Sequence, residues 1–362
     1  MSVTANTKTP RPDGRSADEP DLLDDPAWFL DRLDFERGAA VFTRTRREAL
    51  SNAAFLDGRW NRLGASQRLV PFARLRSFRT DRPAPAIIWH TAFCCSTLVA
   101  SLLDAPGTAL ALKEPMALVD LSAARRQGLE GEDPALASAA IMRIGLGFNA
   151  GERAVIKPSN GANGLIPDAA AIGAPMLLLY SSCRQFLLSV IGGGPGAGGG
   201  EVRRQFIRDL MNGRVRSQRP PLRFSLDHLS ALNDLQVAAL FWHVQIGELR
   251  AAARAFGPRQ ARSLDCERFL AEPARALAAL DQLFALGHGE AHLRQAAQGP
   301  LMSRYAKQPN RAFDAADRDR GFKSIEADLG PTLDGLVAWS YRMCPETPRG
   351  DPVGAPLLSR YS

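Results

Sequence analysis

The stretch AIIWHTAFCCSTLVASLLDAPGTALALKE, residues 86–114, places an apolar run, a turn of small and hydroxyl-bearing residues, and leucines at helical spacing one after another. This order predicts a buried strand over residues 86–89, a turn over residues 91–97, and a helix that starts directly after the turn. A turn that leads into a helix offers backbone N–H groups and the positive end of the helix dipole. The sequence therefore predicts an anion site in this turn, to which Ser96 and Thr97 add hydroxyl donors.

The spacing of this turn is that of a phosphate-binding loop, but its residues are not those of an ATPase. The Walker pattern has Gly, Gly and Lys where this chain has His90, Cys95 and Ser96. The neighbouring Cys94 and Cys95 fit the turn as small residues, which is a simpler interpretation than a redox pair.

Composition is that of a soluble globular protein. The 362 residues are 45% hydrophobic and 23% charged, which is enough for a full core. Residues 86–112 are interrupted by the turn and by Pro106 and Gly107, so we expect no transmembrane helix, which needs about 20 continuous apolar residues. Five cysteines without CxxC spacing and an N-terminus without an apolar signal segment favour a reduced, cytoplasmic setting.

The net charge of +7 suits anionic ligands. The charge is dispersed, and the arginine-rich stretch 214–219 lacks the interleaved aromatic residues of a single-strand binder, so a nucleic-acid partner is not expected. His288 and His292 have the spacing of a helical metal pair but lack a nearby third ligand, so no metal is expected.

From residue 86 onward, short apolar strands alternate with helices. Further strands are predicted at 110–112, 153–156, 175–180 and 262–265, and helices at 132–144, 184–191, 201–211, 228–256 and 273–286. Strands separated by helices predict a mostly parallel, doubly wound sheet, whose chemistry gathers at the carboxyl ends of the strands. His243, among apolar neighbours, is predicted to be a packed and hydrogen-bonded core histidine.

The chain is divided by composition and periodicity into four parts. Residues 1–20 predict a disordered tail, 21–85 a helical segment that packs on the core, 86–345 the main domain, and 346–362 a C-terminal tail. In the second part, residues 28–60 are predicted to be helical. The glycine-rich run 192–200 follows a helix and not a strand, so it predicts a connection and not a phosphate loop.

With these motifs in place, the chain resembles the P-loop sulfotransferases, particularly divergent bacterial sulfotransferase-like proteins and, more distantly, tyrosylprotein sulfotransferases. The likeness extends over about residues 86–320. It implies an α/β fold of the P-loop NTPase-like kind, a three-layer sandwich with a central, mostly parallel sheet and added helices. FCCSTL, residues 93–98, falls where the family has a basic-Ser-Gly-Thr-Thr-Leu loop that holds the 5′-phosphosulfate of PAPS (3′-phosphoadenosine 5′-phosphosulfate). The resemblance thus assigns Cys94, Cys95, Ser96 and Thr97 to donor binding.

Two further segments resemble the family at positions that carry catalysis. Residues 105–115 look like the segment whose glutamate is the base for the acceptor hydroxyl in the tyrosylprotein enzymes, which implies that role for Glu114. VIKP, residues 155–158, is similar to the strand-end lysine that steadies the transferring sulfuryl group, which implies that role for Lys157.

The motif that binds the 3′-phosphate of the donor in this family is less complete in this chain. YSSCRQFLLS, residues 180–189, occupies the place of the family's Arg-Asp-Pro…Ser motif, of which Ser189 and, by displacement, Arg184 remain. Phe93 and Ser181 stand where the family has cations. The family has a basic loop late in the chain for the 3′-phosphate. We therefore expect that basic residues of the corresponding region replace the missing cations, namely Lys307, Arg311 and Arg318.

The resemblance implies transfer of a sulfuryl group from PAPS to a hydroxyl on a small molecule, glycan, lipid or peptide, with PAP (3′-phosphoadenosine 5′-phosphate) as product and no metal. Phe93 and Ser181 favour an alternative, a protein that kept the fold and binds nucleotides or anions without catalysis. A small-molecule kinase is a third interpretation. The absence of a Walker lysine and of an apolar run that ends in Asp for Mg²⁺ disfavours it.

Overall fold

The computed structural model describes residues 21–129, 133–193, 199–212, 225–303 and 315–358. A small antiparallel sheet forms near the N-terminus, with strands in the order β1-β2-β3. These strands are β1 (Trp28–Asp34), β2 (Ala39–Arg44) and β3 (Gln67–Pro71).

A second sheet forms the centre of the molecule. Its five strands are parallel and lie in the order β5-β6-β4-β7-β8. They are β4 (Ala86–His90), β5 (Ala109–Lys113), β6 (Arg153–Lys157), β7 (Met176–Tyr180) and β8 (Ala261–Asp265). β5 and β6 lie on one side of β4, and the chain then crosses to β7 and β8 on the other side, so the strand order reverses beside β4. Ligands of such sheets bind outside the carboxyl ends of the strands at this point.

Helices cover both faces of the central sheet. They are α1 (Arg47–Ser51), α2 (Phe72–Arg76), α3 (Ser96–Leu102), α4 (Met116–Gln127), α5 (Pro134–Ile144), α6 (Ile166–Ala171), α7 (Cys183–Ile191), α8 (Gly200–Met211), α9 (Leu226–Ala231), α10 (Asp234–Gln260), α11 (Cys266–Ala271), α12 (Pro273–Phe284), α13 (Glu290–Gln298) and α14 (Ala315–Met343). Short 3₁₀ helices span Asn160–Leu165 and Pro300–Ser303.

The two faces of β4 pack into two separate apolar clusters. Ile87 and Trp89 belong to one cluster, and Ala86 and Ile88 belong to the other. Successive side chains of a strand point to opposite faces, so the sheet lies between two layers. This confirms the predicted α/β fold with a central parallel sheet and an interior first strand.

The helix predicted over residues 28–60 is wrong. Two antiparallel strands and the five-residue α1 occupy this stretch. The register of β1 against β2 shifts between Leu30 and Arg32, which interrupts the alternation of buried and exposed side chains. The resulting run of buried residues does not show the period of two that identifies a strand.

The strands and helices predicted after residue 86 each have a counterpart in the structure, but α4, α6, α11, α13 and α14 were not predicted. The helix predicted over 228–256 is two helices, α9 and α10, because Ser225 and Asn233 each cap a helix start. Residues 1–20, 194–198 and 359–362, which contain much of the predicted tails and glycine-rich connection, lie outside the described residues. Within the described part of the chain, no helix is long and apolar enough to cross a membrane.

Segments near both ends of the chain run beside the outer strands of the central sheet. Leu56 N–H donates to the carbonyl of Lys113 at 2.7 Å, and the Arg47 side chain donates to the carbonyl of Ala109 at 2.7 Å. Beside β8, Ser263 exchanges backbone hydrogen bonds with residues 355 and 357. The first segment brings residues 55–59 to the carboxyl end of β5.

Candidate active site

The turn after β4 holds an unusual backbone conformation. Ala92, Phe93 and Cys95 have φ angles of 69°, 49° and 61°. This left-handed region favours glycine, because a Cβ atom crowds the following carbonyl. Three residues of this turn that are not glycine thus hold a conformation that glycine adopts most easily.

The turn is fixed by His90 at the end of β4. Its Nδ1 accepts from Ala92 N–H at 3.0 Å, and its Nε2 donates to the carbonyl of Pro158 at 2.9 Å. Pro158 directly follows Lys157, so this ring connects the turn to the end of β6.

Polar groups at the start of α3 have capacity for a ligand. The side chains of Ser96 and Thr97 are buried, and the Thr97 hydroxyl has no hydrogen-bond partner among the described residues. Ser96 and Thr97 are the first two residues of α3, and the first N–H groups of an α-helix have no partner within the helix. These donors would satisfy an anion.

Cys94 does not contribute a reactive group to the turn. Burial raises the pKa of its thiol to about 12, and Cys95 adds to this shift. The Cys94 Sγ donates to the carbonyl of Leu179 at 3.5 Å. A thiol with such a pKa stays protonated at neutral pH, which fits packing and not nucleophilic chemistry.

Glu114 and Lys157 meet at the carboxyl ends of β5 and β6. Lys113 pairs with Lys157 across the two strands, so Glu114 follows one strand directly beside the last residue of the other. The Lys157 ammonium donates to Oε1 of Glu114, and Glu114 N–H donates to the carbonyl of Lys157 at 2.6 Å. The Lys157 side chain is 1% exposed and that of Glu114 is 16% exposed, so the pair is reached from the Glu114 side.

Two further cations lie at this pair, and the sequence analysis missed both as site residues. Arg59 Nη2 lies 3.7 Å from Oε2 of Glu114, and the guanidinium is held by Asp57 and by the Phe55 ring. Lys113 donates to the carbonyl of Ser51 at 2.5 Å, and burial lowers the pKa of its ammonium to about 8. Lys113 could have been found from the sequence, because it directly precedes Glu114. Arg59 was missed because residues 28–60 were wrongly predicted to be helical.

Arg184 and Ser189 lie on α7, on the other side of β4. Arg184 Nε lies 2.8 Å from Oε1 of Glu326, and Nη1 contacts Asp334, both on α14. The bond to Glu326 is the main reason that the pKa of Arg184 is raised. Ser189 is half-buried on the same helix. Phe93, at the position of the family's loop cation, packs edge-to-face on Phe186 with ring centroids 5.5 Å apart.

The predicted late cations are only partly described. Lys307 and Arg311 lie outside the described residues. Arg318 Nη2 lies 2.5 Å from Oε1 of Glu267, and the Cys95 thiol is close enough to influence it. Burial alone would lower the pKa of Arg318, but Glu267, together with Cys95 and Cys266, raises it overall. This arginine therefore lies near the turn with its charge already paired.

The remaining histidines behave as packed or surface groups. His243 is buried between Thr347 at 2.9 Å and Ser340 at 3.0 Å, which confirms the predicted core histidine. His288 bonds to Asp281 at 2.8 Å and stacks on His292. The described residues include no group of three or more His, Cys, Asp or Glu that could hold a metal.

Comparison with known proteins gives little further information. No protein-family model matches the chain, and no curated protein matches it. A solved structure, the sulfotransferase domain from the curacin biosynthetic pathway, is similar over 69% of this chain and 99% of that domain, with 13% identity and a TM-score of 0.41. A likeness at this level says nothing about the donor or the acceptor.

Proposed function

We propose that this chain is a sulfotransferase that moves a sulfuryl group from PAPS to a hydroxyl acceptor. One observation carries the proposal: Lys157 and Glu114, from neighbouring strand ends, are in contact at the edge of the sheet where the turn after β4 lies. The transfer requires alignment of two reactants, neutralisation of spread negative charge and removal of one proton. The site offers a group for each requirement.

PAPS supplies, when bound, a sulfuryl group on its 5′-phosphate. The N–H groups of Ser96 and Thr97, with the Thr97 hydroxyl, would hold this phosphosulfate. The acceptor oxygen forms a bond to sulfur while the bond from sulfur to the 5′-phosphate oxygen breaks, and the acceptor proton passes to the Glu114 carboxylate. The Lys157 ammonium has three N–H donors, so it can stabilise the transferring group while it orients Glu114.

The residues fit the two ends of PAPS unequally. The turn suits the phosphosulfate, because the Thr97 hydroxyl is buried without a partner and Cys95 holds the conformation of the motif's glycine. The 3′-phosphate would meet Arg184, which already faces Glu326 and Asp334. We propose that this end is bound with the help of Lys307 and Arg311.

A protein that binds anions without catalysis is the second candidate. Phe93 favours it, because its ring packs on Phe186 and supplies no charge to the turn. Losing one preorganised donor to a transition state costs about 2.7–4 kcal/mol, a large part of the stabilisation that such a loop provides. The two candidates differ in turnover and agree in binding.

Calorimetry with PAP, PAPS, AMP and ATP with Mg²⁺, followed by a sulfate-transfer assay with phenol and alcohol acceptors, separates the candidates. We expect PAP to bind more tightly than AMP, and PAPS to be turned over. Binding of PAP without transfer to any acceptor would support the non-catalytic protein, and preferential binding of ATP would support a kinase. Binding of none of these nucleotides rejects the sulfotransferase and the kinase and leaves the non-catalytic protein.

Thr97→Val tests whether the turn is the site of binding. The hydroxyl is lost with little change in shape, so PAP affinity should fall by about tenfold, as for the loss of one hydrogen bond to a charged group. Thr108→Val, at the amino edge of the sheet, is the matched control and should leave the affinity unchanged.

A further inference from the structure

Three amide and carboxyl side chains form a buried cluster beneath the end of β4. Asn163 lies in the 3₁₀ segment after β6, and Gln245 and Glu248 lie on α10. Their exposed fractions are 2%, 0% and 5%. Because polar groups at this depth need partners, each donor and acceptor in the cluster can be assigned in turn.

The backbone of β4 fixes the orientation of both amides. The carbonyl of His90 can only accept, so the group of Asn163 that faces it at 3.1 Å is Nδ2. The same Nδ2 donates to Oε1 of Gln245 at 3.0 Å. Gln245 Nε2 then faces Glu248 and donates to its Oε2 at 3.3 Å.

Two oxygens remain after this assignment. Oδ1 of Asn163 and Oε1 of Glu248 are both buried, and neither has a hydrogen-bond partner among the described residues. Both side chains contact Gln245, so the two oxygens belong to one buried cluster, and Asn163 is one of the groups that act on the Glu248 carboxyl. A bare buried acceptor is unfavourable, and one proton shared by the two oxygens would satisfy both.

We infer that Glu248 carries a proton on Oε1 in the folded protein and donates it to Oδ1 of Asn163. This bond closes a ring in which Asn163 donates to Gln245, Gln245 donates to Glu248, and Glu248 donates to Asn163.

The surroundings of the carboxyl are compatible with a retained proton. The charged group that faces it is Arg126 of α4, which lies 3.9 Å from Asp209 of α8 and donates to Ser122 and to the carbonyl of Gly161. Burial raises the pKa of Glu248 to about 8 and outweighs the opposing influence of Asn163 and Arg126. The imidazole of His90 forms its hydrogen bonds with Ala92 and Pro158.

The closed ring joins the two loops of the candidate active site. Asn163 belongs to the loop that follows Lys157, and its Nδ2 holds the carbonyl of His90 at the start of the anion-binding turn. Glu248 would thus be a positioning residue for the turn and for Lys157. This functional consequence rests on the proposed sulfotransferase activity, whereas the proton itself does not.

Glu248→Gln tests the proton directly. Glutamine can accept from Gln245 and donate to Asn163, so it reproduces the protonated side chain at every pH. A carboxyl with a raised pKa in the folded state makes the wild type less stable as the pH rises from about 4.5 to about 8. Over this window, the ratio of the wild-type to the variant unfolding constant should rise by up to about tenfold per pH unit.

Two readouts keep this test decisive. Denaturant unfolding between pH 5 and 9 should show the pH-dependent difference for Glu248→Gln, and the exposed control Glu290→Gln should follow the wild type. Infrared spectra of the native wild type should contain the stretch of a protonated carboxyl that Glu248→Gln lacks. Parallel unfolding curves together with no such band would overturn the inference.

The positioning role is tested separately by the activity. Glu248→Leu leaves Asn163 Oδ1 without a donor and should lower PAP affinity and kcat, whereas Glu248→Gln should retain both. In the wild type, Glu248 should lose its proton above pH 8, which breaks its hydrogen bond to Asn163 and should lower kcat. Glu248→Gln should remove that decline. Equal activity of the leucine and glutamine variants would reject positioning. Absence of any transfer in the wild type would reject the proposed function and leave the infrared result standing.

Discussion

The two sides of β4 present opposite arrangements of charge at the carboxyl edge of the sheet. On the side of β5 and β6, three cations, Lys157, Arg59 and Lys113, lie around two carboxylates, those of Glu114 and Asp57. On the side of β7, one cation, Arg184, is flanked by two carboxylates, Glu326 and Asp334. The first arrangement can accept a further anion, and the second repels one.

Burial increases the contrast. The Lys157 side chain is 1% exposed, whereas those of Glu326 and Asp334 are 36% and 72% exposed. Water and salt screen exposed charges, so the repulsion at Arg184 is weak and the attraction at Lys157 is strong. For the proposed transfer, the charges around the turn would therefore suit the reacting end of PAPS better than its 3′-phosphate.

The largest effect is expected at Lys157. Lys157→Ala should lower kcat by about 10²- to 10³-fold, because a preorganised cation acts mainly on charge that develops in the transition state. PAP affinity should fall less. Steady-state kinetics and PAP titration measure the two effects, with the exposed Lys323→Ala as control and an unfolding curve to confirm the fold. If PAP affinity fell as much as kcat, Lys157 would contribute to binding in the ground state and not specifically to the transition state.

The next largest effect is expected for Glu114→Gln, on the same side of β4. Removing a general base should lower transfer to alcohols by about 10²-fold, while phenols, which lose their proton more easily, should be affected less. PAP binding should stay nearly intact. A panel of phenols and alcohols of graded acidity gives the measurement, and an equal loss for every acceptor would contradict the role of a base.

Lys113 provides a pH signature of the buried cations beside β5. Its pKa is lowered to about 8 from 10.5, so between these values the unfolded chain holds a proton that the folded chain has released. Stability should therefore increase over this window, with the unfolding constant falling by up to about tenfold per pH unit. Denaturant unfolding from pH 7 to 11 should show the increase in the wild type and in Lys323→Met, but not in Lys113→Met.

The smallest effect is expected on the other side, at α14. The double variant Glu326→Gln/Asp334→Asn frees Arg184, and PAP affinity should rise by about two- to fivefold, the scale of exposed ion pairs. AMP, which lacks the 3′-phosphate, is the control ligand and should bind unchanged. Titrations at low and high salt should show the gain only at low salt. An equal rise in the affinity for AMP would show that Arg184 does not bind the 3′-phosphate.

The parallel sheet could be predicted from sequence, because four of its five strands, β4 to β7, contain a short apolar run that is followed by polar residues. β5 and β6 illustrate this, since Lys113-Glu114 and Lys157-Pro158 directly mark their carboxyl ends. Strand ends in one parallel sheet meet at one edge, so the pattern predicted that Glu114 and Lys157 lie at the same edge. Their direct contact depends on the pairing of β5 with β6, which the pattern does not give.

Other parts of the site depend on long-range contacts that leave no local pattern. Arg59 reaches Glu114 only because its segment bonds to the end of β5. Arg184 is balanced by two carboxylates about 150 residues further along the chain. The small sheet was missed because the shifted register in β1 disrupts the alternation by which a strand is identified.

The segments beside β5 and β8 bear on association between molecules. The outer edge of a terminal strand presents N–H and C=O groups that can pair with another chain. Here the segment with Arg47 and Leu56 occupies the edge of β5, and residues 355–357 occupy that of β8. Both edges are thus covered by segments from opposite ends of the sequence. A chain cut to residues 86–345 would uncover both at once, and the short apolar strands of this sheet would then become templates for aggregation.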